Sequence, residues 1–409
     1  MDNPFKTISI SLLPNFGWRE FFRSLKWLMT PWKWKGYKKE IILKEKLSQY
    51  LGRKEVFLFD SGRSALKILL KALEVNENSE VIIQGFTCSV VPGAIKSVGG
   101  VPVYVDIDKN YNMDARKLSE AISKKTKAVI VQNSFGTPAN LARIRDICKK
   151  NKLVLIEDGA HGLGAEYEGK KLGGWSEVSF LSFGRDKVIS AIWGGAIITN
   201  DEKLAGKIKK LNSELSRMGA GWVGKQLVYV ILTQKIVALY NFFGLGKLLH
   251  KISGQLKWLS EPISKEEKLG NSREVKKGIV DPLADILIGQ LDRLDEMVFH
   301  RRMLAKFYSD ELGEEFYPSS SYLRYPIEVE DPMGLRKAAA DKNIFLGDWY
   351  DQVVAPKSID LEKFGYSRGS CIEAEKAALR IVNLPTNPNI GLKDAAKVIA
   401  VVKKWKLKQ

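Results

Sequence analysis

Between residues 55 and 200 the chain alternates two hydrophobic patterns. Short, unbroken apolar runs occur at Val56–Phe59, Val81–Ile83, Val101–Val105, Ala128–Gln132, Leu153–Ile156, Val178–Phe183 and Ala196–Thr199. Each is rich in Val, Ile or Phe and is bounded by glycine or charged residues, the mark of a strand buried on both faces. Between several of them, apolar residues return every three or four positions, at Ala65–Leu73, Ala115–Ser123 and Leu141–Asn151. That alternation predicts an α/β fold built on a mostly parallel, seven-stranded sheet covered by helices.

The pattern changes on either side. Residues 1–46 form a leader in which Trp27, Trp32 and Trp34 interleave with Lys26, Lys33 and Lys35. Residues 47–215 hold the sheet. Residues 216–280 contain WVGKQLVYVILTQKIVALYNFFGLGKLLHKI, an apolar stretch broken by lysines. In 281–312 the positions Leu287, Leu291, Leu294 and Met297 repeat at three- and four-residue steps, which predicts one long connecting helix. Residues 313–409, with strand candidates Tyr322–Val329 and Ile381–Leu384 and helix candidates around them, read as a smaller α/β domain.

Charge sharpens this picture. The 409 residues carry a net charge of +18. The leader has ten Lys/Arg against four Asp/Glu, and 216–280 has eleven against four, so most of the excess sits in these two segments. Such segments suit a packing arm with a solvated basic face, an anionic membrane surface, or nucleic-acid stacking. No zinc or helix-turn-helix module supports nucleic acid, and none is expected as a partner. Three widely spaced cysteines and three histidines give neither a disulfide framework nor a metal cluster. The N-terminus lacks the pattern of a signal peptide, and no uncharged apolar stretch reaches spanning length. The expected location is the cytoplasm, with attachment to the inner face of the membrane as the open alternative.

Chemistry concentrates at the ends of the apolar runs. Glu157, Asp158 and His161 follow one, and Ser182, Arg185 and Lys187 lie at or after the end of another. A lysine past a strand is ordinarily a solvated charge. It becomes a reactive amine when its pKa is lowered and a carbonyl partner is at hand. Pyridoxal phosphate supplies such a carbonyl and requires an acid for its ring nitrogen, donors for its phosphate and a surface against its ring. Asp158 is the candidate acid. The turn Ser61-Gly62-Arg63-Ser64 opens a helix directly after a strand, as phosphate sites do. Ser182 offers a hydroxyl. Singly, Ser61–Ser64 is equally an N-cap and His161 equally a packed core residue.

The segments SGRSALKILLKAL, FTCSVVPGAI, VPVYVDID, IEDGAHGLGAEYEGKKLGGWSEVSFLSF, GRDK followed by GGAIIT, and GQLDRLDEMVFHRR resemble the DegT/StrS-type sugar aminotransferases. These are fold-type-I enzymes dependent on pyridoxal 5′-phosphate. The resemblance implies Lys187 as the covalent cofactor anchor and proton carrier, Asp158 at the pyridinium nitrogen, and His161 near the ring. It implies Gly62, Arg63 and Ser182 at the phosphate and Cys88 in the loop beside the ring, where the family commonly has an aromatic residue. Phe86 is the alternative stacking partner, and Lys276 or Lys277 the candidate to reach a neighbouring subunit's phosphate. The implied activity is transfer of an amino group, with glutamate as donor, to a nucleotide-linked keto-sugar by a homodimer in surface polysaccharide or glycolipid synthesis. The competing reading is a membrane-surface protein of the same fold that acts on a lipid-linked substrate or has lost catalysis.

Overall fold

The computed structural model describes residues 6–407 apart from 256, 257, 259, 260, 262, 271 and 272. The seven apolar runs become one sheet: β1 (Glu55–Phe59), β2 (Glu80–Gln84), β3 (Val101–Val105), β4 (Thr126–Gln132), β5 (Val154–Asp158), β6 (Val178–Ser182) and β7 (Gly195–Thr199). Their spatial order is β1-β7-β6-β5-β4-β2-β3. All pairings are parallel except those of β7, which runs antiparallel to both β6 and β1. The fold is thus α/β with a mixed, mostly parallel sheet. Helices bury apolar faces on both sides of it, so the strands are apolar throughout.

The leader is woven into the molecule. Its Ile8–Ser9 strand pairs in parallel with Ile344–Phe345 of the C-terminal region. Leu13 and Phe16 are buried in the main core. Helices α1 (Trp18–Leu28) and α2 (Lys38–Leu51) follow and pack against a later helix, Asp281–Leu291. Helix α3 (Gly62–Ala72) starts directly after β1. Residues 216–280 contain α4 (Ala220–Leu239) and α5 (Leu245–Gln255). Among the described residues no helix is long and apolar enough to cross a membrane.

The expected single helix over 281–312 is two: α6 (Asp281–Leu291) and α7 (Leu294–Leu312). Arg293 leaves helical geometry at φ −115°, ψ 13°. Its side chain explains the break, because Nε donates to the Gly289 carbonyl at 3.1 Å while the guanidinium pairs with Glu20 at 2.7 Å. Beyond α7, the strands Tyr325–Glu328 and Ile381–Leu384 pair antiparallel. They form a smaller core with Tyr308, Leu335 and Val398.

Candidate active site

Parallel strands that share one direction deliver their C-terminal ends to one rim, and ligands bind there. The C-terminal ends of β1, β5 and β6 lead into a cleft of about 430 Å³, within the range that holds small ligands. Gly62, Arg63, Cys88, Asp158, His161, Ser182 and Lys187 all line it.

At one end lies the start of α3. The Ser61 hydroxyl accepts the Ser64 amide at 3.2 Å and caps the helix. Gly62 lets the helix approach β6 closely, since a Cβ there would sit 2.7 Å from the Ser182 Cβ. β7 is equally close, for a Cβ on Gly195 would lie 2.4 Å from the Gly62 nitrogen. The free amides of an eleven-residue helix therefore open beside a serine hydroxyl, a fitting cradle for a phosphate. The Arg63 side chain turns elsewhere, pairing with Glu267 and lying 5.6 Å from the Trp193 ring centre.

At the other end is the lysine. Lys187 sits in the loop after β6, its ammonium 4.9 Å from the centre of the Trp349 ring. Burial lowers its pKa, and the Arg324 cation lowers it further, against the opposing influence of Cys88, Asp158 and Asp186. Asp158 ends β5 and is 4% exposed. Burial raises its carboxyl to about 6, although the Ala160 amide, donating at 2.9 Å, favours the charged form. An acid held dry in this way is poised to pair with a cation brought by a ligand. Glu157, one residue earlier, faces away. It is fully buried and accepts the amides of Gly173, Trp175 and Ser176 at 2.6, 3.1 and 3.1 Å, a structural role.

His161 is buried and stacked on Trp349 at 5.3 Å and 9°. Its Nδ1 accepts the Phe135 amide at 3.4 Å, so the ring proton resides on Nε2, which faces the Tyr350 hydroxyl at 3.3 Å. Burial and the cations Lys187 and Arg324 push its pKa well below the usual value, so the ring is neutral. Cys88 reaches the cleft on a short strand paired with Val354–Ala355. Phe86 does not line it: it is fully buried, stacked on Tyr111 at 5.6 Å. Lys276 donates to Ser216 at 2.8 Å and pairs with Glu274, and Lys277 donates to the Ser213 carbonyl at 3.3 Å.

The C-terminal region supplies partners that strand-end reasoning missed. Trp349 and Tyr350 wall the cleft, and Arg324 lies 3.5 Å over Trp349. Burial raises the Asp186 carboxyl, opposed in part by Arg324, Arg185 and Lys187, and its Oδ1 has no hydrogen-bond partner among the described residues. From the leader, Asn15 Nδ2 donates to the backbone carbonyls of Lys187 and Val188, the latter at 3.0 Å. Asn15 Oδ1 accepts from the buried Arg301 guanidinium. The only available signal was compositional: the WYDQ stretch and an isolated asparagine before a tryptophan helix.

A model described as the DegT/DnrJ/EryC1/StrS aminotransferase family matches residues 18–229 and 264–403, leaving 230–263 outside it. The chain is 27% identical over 418 residues to an uncharacterised protein of Methanocaldococcus jannaschii, covering 96% of this chain and 97% of that one. It is 37% identical over 171 residues to a UDP-2-acetamido-2-deoxy-3-oxo-D-glucuronate aminotransferase of Pseudomonas aeruginosa. That alignment spans 41% of this chain and 48% of the relative. Among solved structures, an aminotransferase from Psychrobacter cryohalolentis superposes with a TM-score of 0.75 at 16% identity, over 97% of this chain and 98% of the other. A DegT DnrJ EryC1 StrS aminotransferase from Brucella abortus gives 0.73 at 22% identity, over 95% of both. At such identities the two superpositions speak to the fold.

Proposed function

This chain belongs to the DegT/DnrJ/EryC1/StrS aminotransferase family, and from that premise we propose that it moves an amino group from glutamate to a nucleotide-linked keto-sugar. The cofactor is pyridoxal 5′-phosphate. The observation that carries the reading is one cleft with a buried lysine and a desolvated aspartate at one end and a glycine-started helix beside Ser182 at the other. The donors fit the group. Amides of Gly62 and Arg63 and the Ser182 hydroxyl would hold the phosphate, Asp158 would face the ring nitrogen, and Lys187 would supply the covalent anchor.

Bound there, pyridoxal phosphate supplies a carbonyl for the donor amine and a ring that withdraws the electrons left on carbon. The protein's own groups do the rest. Burial lowers the pKa of Lys187 Nζ, which suits that nitrogen to serve as nucleophile and as base for the donor's α-proton. Asp158, once a cation faces it, holds its charge and keeps that cation protonated. His161 and Trp349, stacked within 9°, set the plane of the cleft wall beside the lysine. In this reading the enzyme works as a homodimer, each site completed by the other subunit.

Borohydride reduction of the cofactor-loaded protein, followed by peptide mass spectrometry, tests the assignment. The cofactor mass is expected on the peptide containing Lys187, and Lys187→Ala is expected to lose both the visible absorption band and turnover. A band that survives in Lys187→Ala would remove Lys187 from the role. Half-reactions with a panel of aminated nucleotide-sugars would then identify the acceptor.

A further inference from the structure

Helix α1 has an apolar outer face. Its protein-facing side is mixed: Glu20 and Ser24 are buried, and Trp27 and Leu28 pack against the main core. Glu20 pairs with Arg293 at 2.7 Å, Arg23 pairs with Asp285 at 3.1 Å, and Trp27 Nε1 donates to Asp285 at 3.1 Å. Its outer side is apolar. Trp18, Phe22, Leu25 and Met29 recur at helical spacing and are 71, 60, 37 and 61% exposed. Trp32, in the turn that follows, is 72% exposed. An ordinary surface helix turns a polar face outward, and a contiguous exposed stripe of large apolar residues marks an interaction site.

The border of this stripe is cationic. Arg19, Lys26, Lys33, Lys35 and Lys38 are all exposed, and among the described residues none has a carboxylate partner. Helix α5 repeats the composition. Leu245, Leu248 and Ile252 are 44, 54 and 39% exposed, beside exposed Lys247 and Lys251. Both α1 and α5 pack against α4. The segment carrying α5 lies in residues 230–263, outside the family match, so the shared chemistry of the family does not account for it.

We propose that α1, the Trp32 turn and α5 form a docking face for an anionic lipid bilayer. Tryptophan rings and lysine stems place apolar atoms below the headgroups and polar ends among them. The five bare cations are neutralised by anionic lipid, each adding to the attraction. A second copy meeting this face across a two-fold axis would instead set like charges against each other. The protein lies on the bilayer and, in its described residues, does not cross it. The proposal stands apart from the cofactor assignment.

The test is co-sedimentation of the full-length, cofactor-loaded protein with vesicles of phosphatidylcholine, with or without phosphatidylglycerol. The protein is expected to pellet with the anionic vesicles, to be released by high salt, and to stay free of pure phosphatidylcholine. Trp18→Ser/Phe22→Ser/Met29→Ser and, separately, Lys26→Glu/Lys33→Glu/Lys35→Glu are each expected to bind at least about tenfold more weakly. Circular dichroism and solution mass should stay unchanged. Wild-type protein that remains free of anionic vesicles, or variants that bind as it does, would overturn the proposal. So would a drop in solution mass of the serine variant, which would assign the face to a second copy of the chain.

Discussion

Asp158 carries its function in its protonation. Its carboxyl titrates at about 6 in the folded chain against an ordinary 3.8, because burial disfavours the anion. Without cofactor, the folded state therefore keeps this proton to higher pH than the unfolded state does. The associated stability is full below about pH 4 and is lost as the pH rises through about 6, amounting to about 3 kcal/mol. Asp158→Asn cannot ionise and escapes that loss. Relative to the wild type, the cofactor-free variant should gain up to about 3 kcal/mol between pH 4 and pH 7, read from urea midpoints. A stability difference that stays flat across this range would mean that the carboxylate is solvated. Cofactor binding should strengthen over the same window in the wild type only, because the cation it brings favours the anion.

At the scale of elements, the site depends on how closely α3 approaches the sheet. Gly62→Ala places a Cβ 2.7 Å from the Ser182 Cβ and 3.1 Å from the Leu181 carbonyl oxygen. Relieving that overlap costs about 1–3 kcal/mol and displaces the helix amides from the hydroxyl. The variant should fold yet bind pyridoxal phosphate at least about tenfold more weakly by spectroscopic titration; unchanged affinity would mean that the helix start does not hold the phosphate. The seven strands were legible because strands buried on both faces read as continuous apolar runs. The residues at their ends were legible for the same reason, since a strand end fixes where the next side chain goes. The break at Arg293 was not, because the apolar repeat runs straight through it and the cause is a side chain bonded to Gly289 and Glu20. Nor was the orientation of α1, whose pattern shows two faces but not which one finds the ion partners Arg293 and Asp285. Trp349 and Tyr350 reach the cleft from some 160 residues downstream of Lys187, with Arg324 stacked behind Trp349, through tertiary folding that no local pattern encodes.

The whole molecule converges on Asn15. The Arg301 guanidinium is fully enclosed and its pKa falls to about 9, and it donates to Asn15, to the Leu323 carbonyl at 3.1 Å and to Thr386 at 3.1 Å. Asn15 in turn holds the carbonyls of Lys187 and Val188. One asparagine thus joins the leader, the reactive loop, α7 and the C-terminal region. Asn15→Ala leaves a buried cation short of an acceptor and frees the lysine loop. A loss of about 3 kcal/mol in stability is expected, together with reduced turnover in the protein that remains folded. A loss below about 1 kcal/mol with turnover unchanged would show that the latch is dispensable.

That latch has a consequence for how the protein is made. The leader is synthesised long before the residues that anchor it. Asn389 donates to the carbonyls of Pro14 and Phe16 at 2.8 and 3.1 Å, and Asn387 to that of Ser9 at 3.0 Å. Contacts spanning nearly the entire chain carry the largest loop-closure cost. A nascent chain can therefore assemble its sheet while the loop holding Lys187 still lacks its tether. The reactive amine is secured only after the C-terminal residues emerge, so a chain cut short before Arg301 and Thr386 keeps its lysine but not the latch that fixes it.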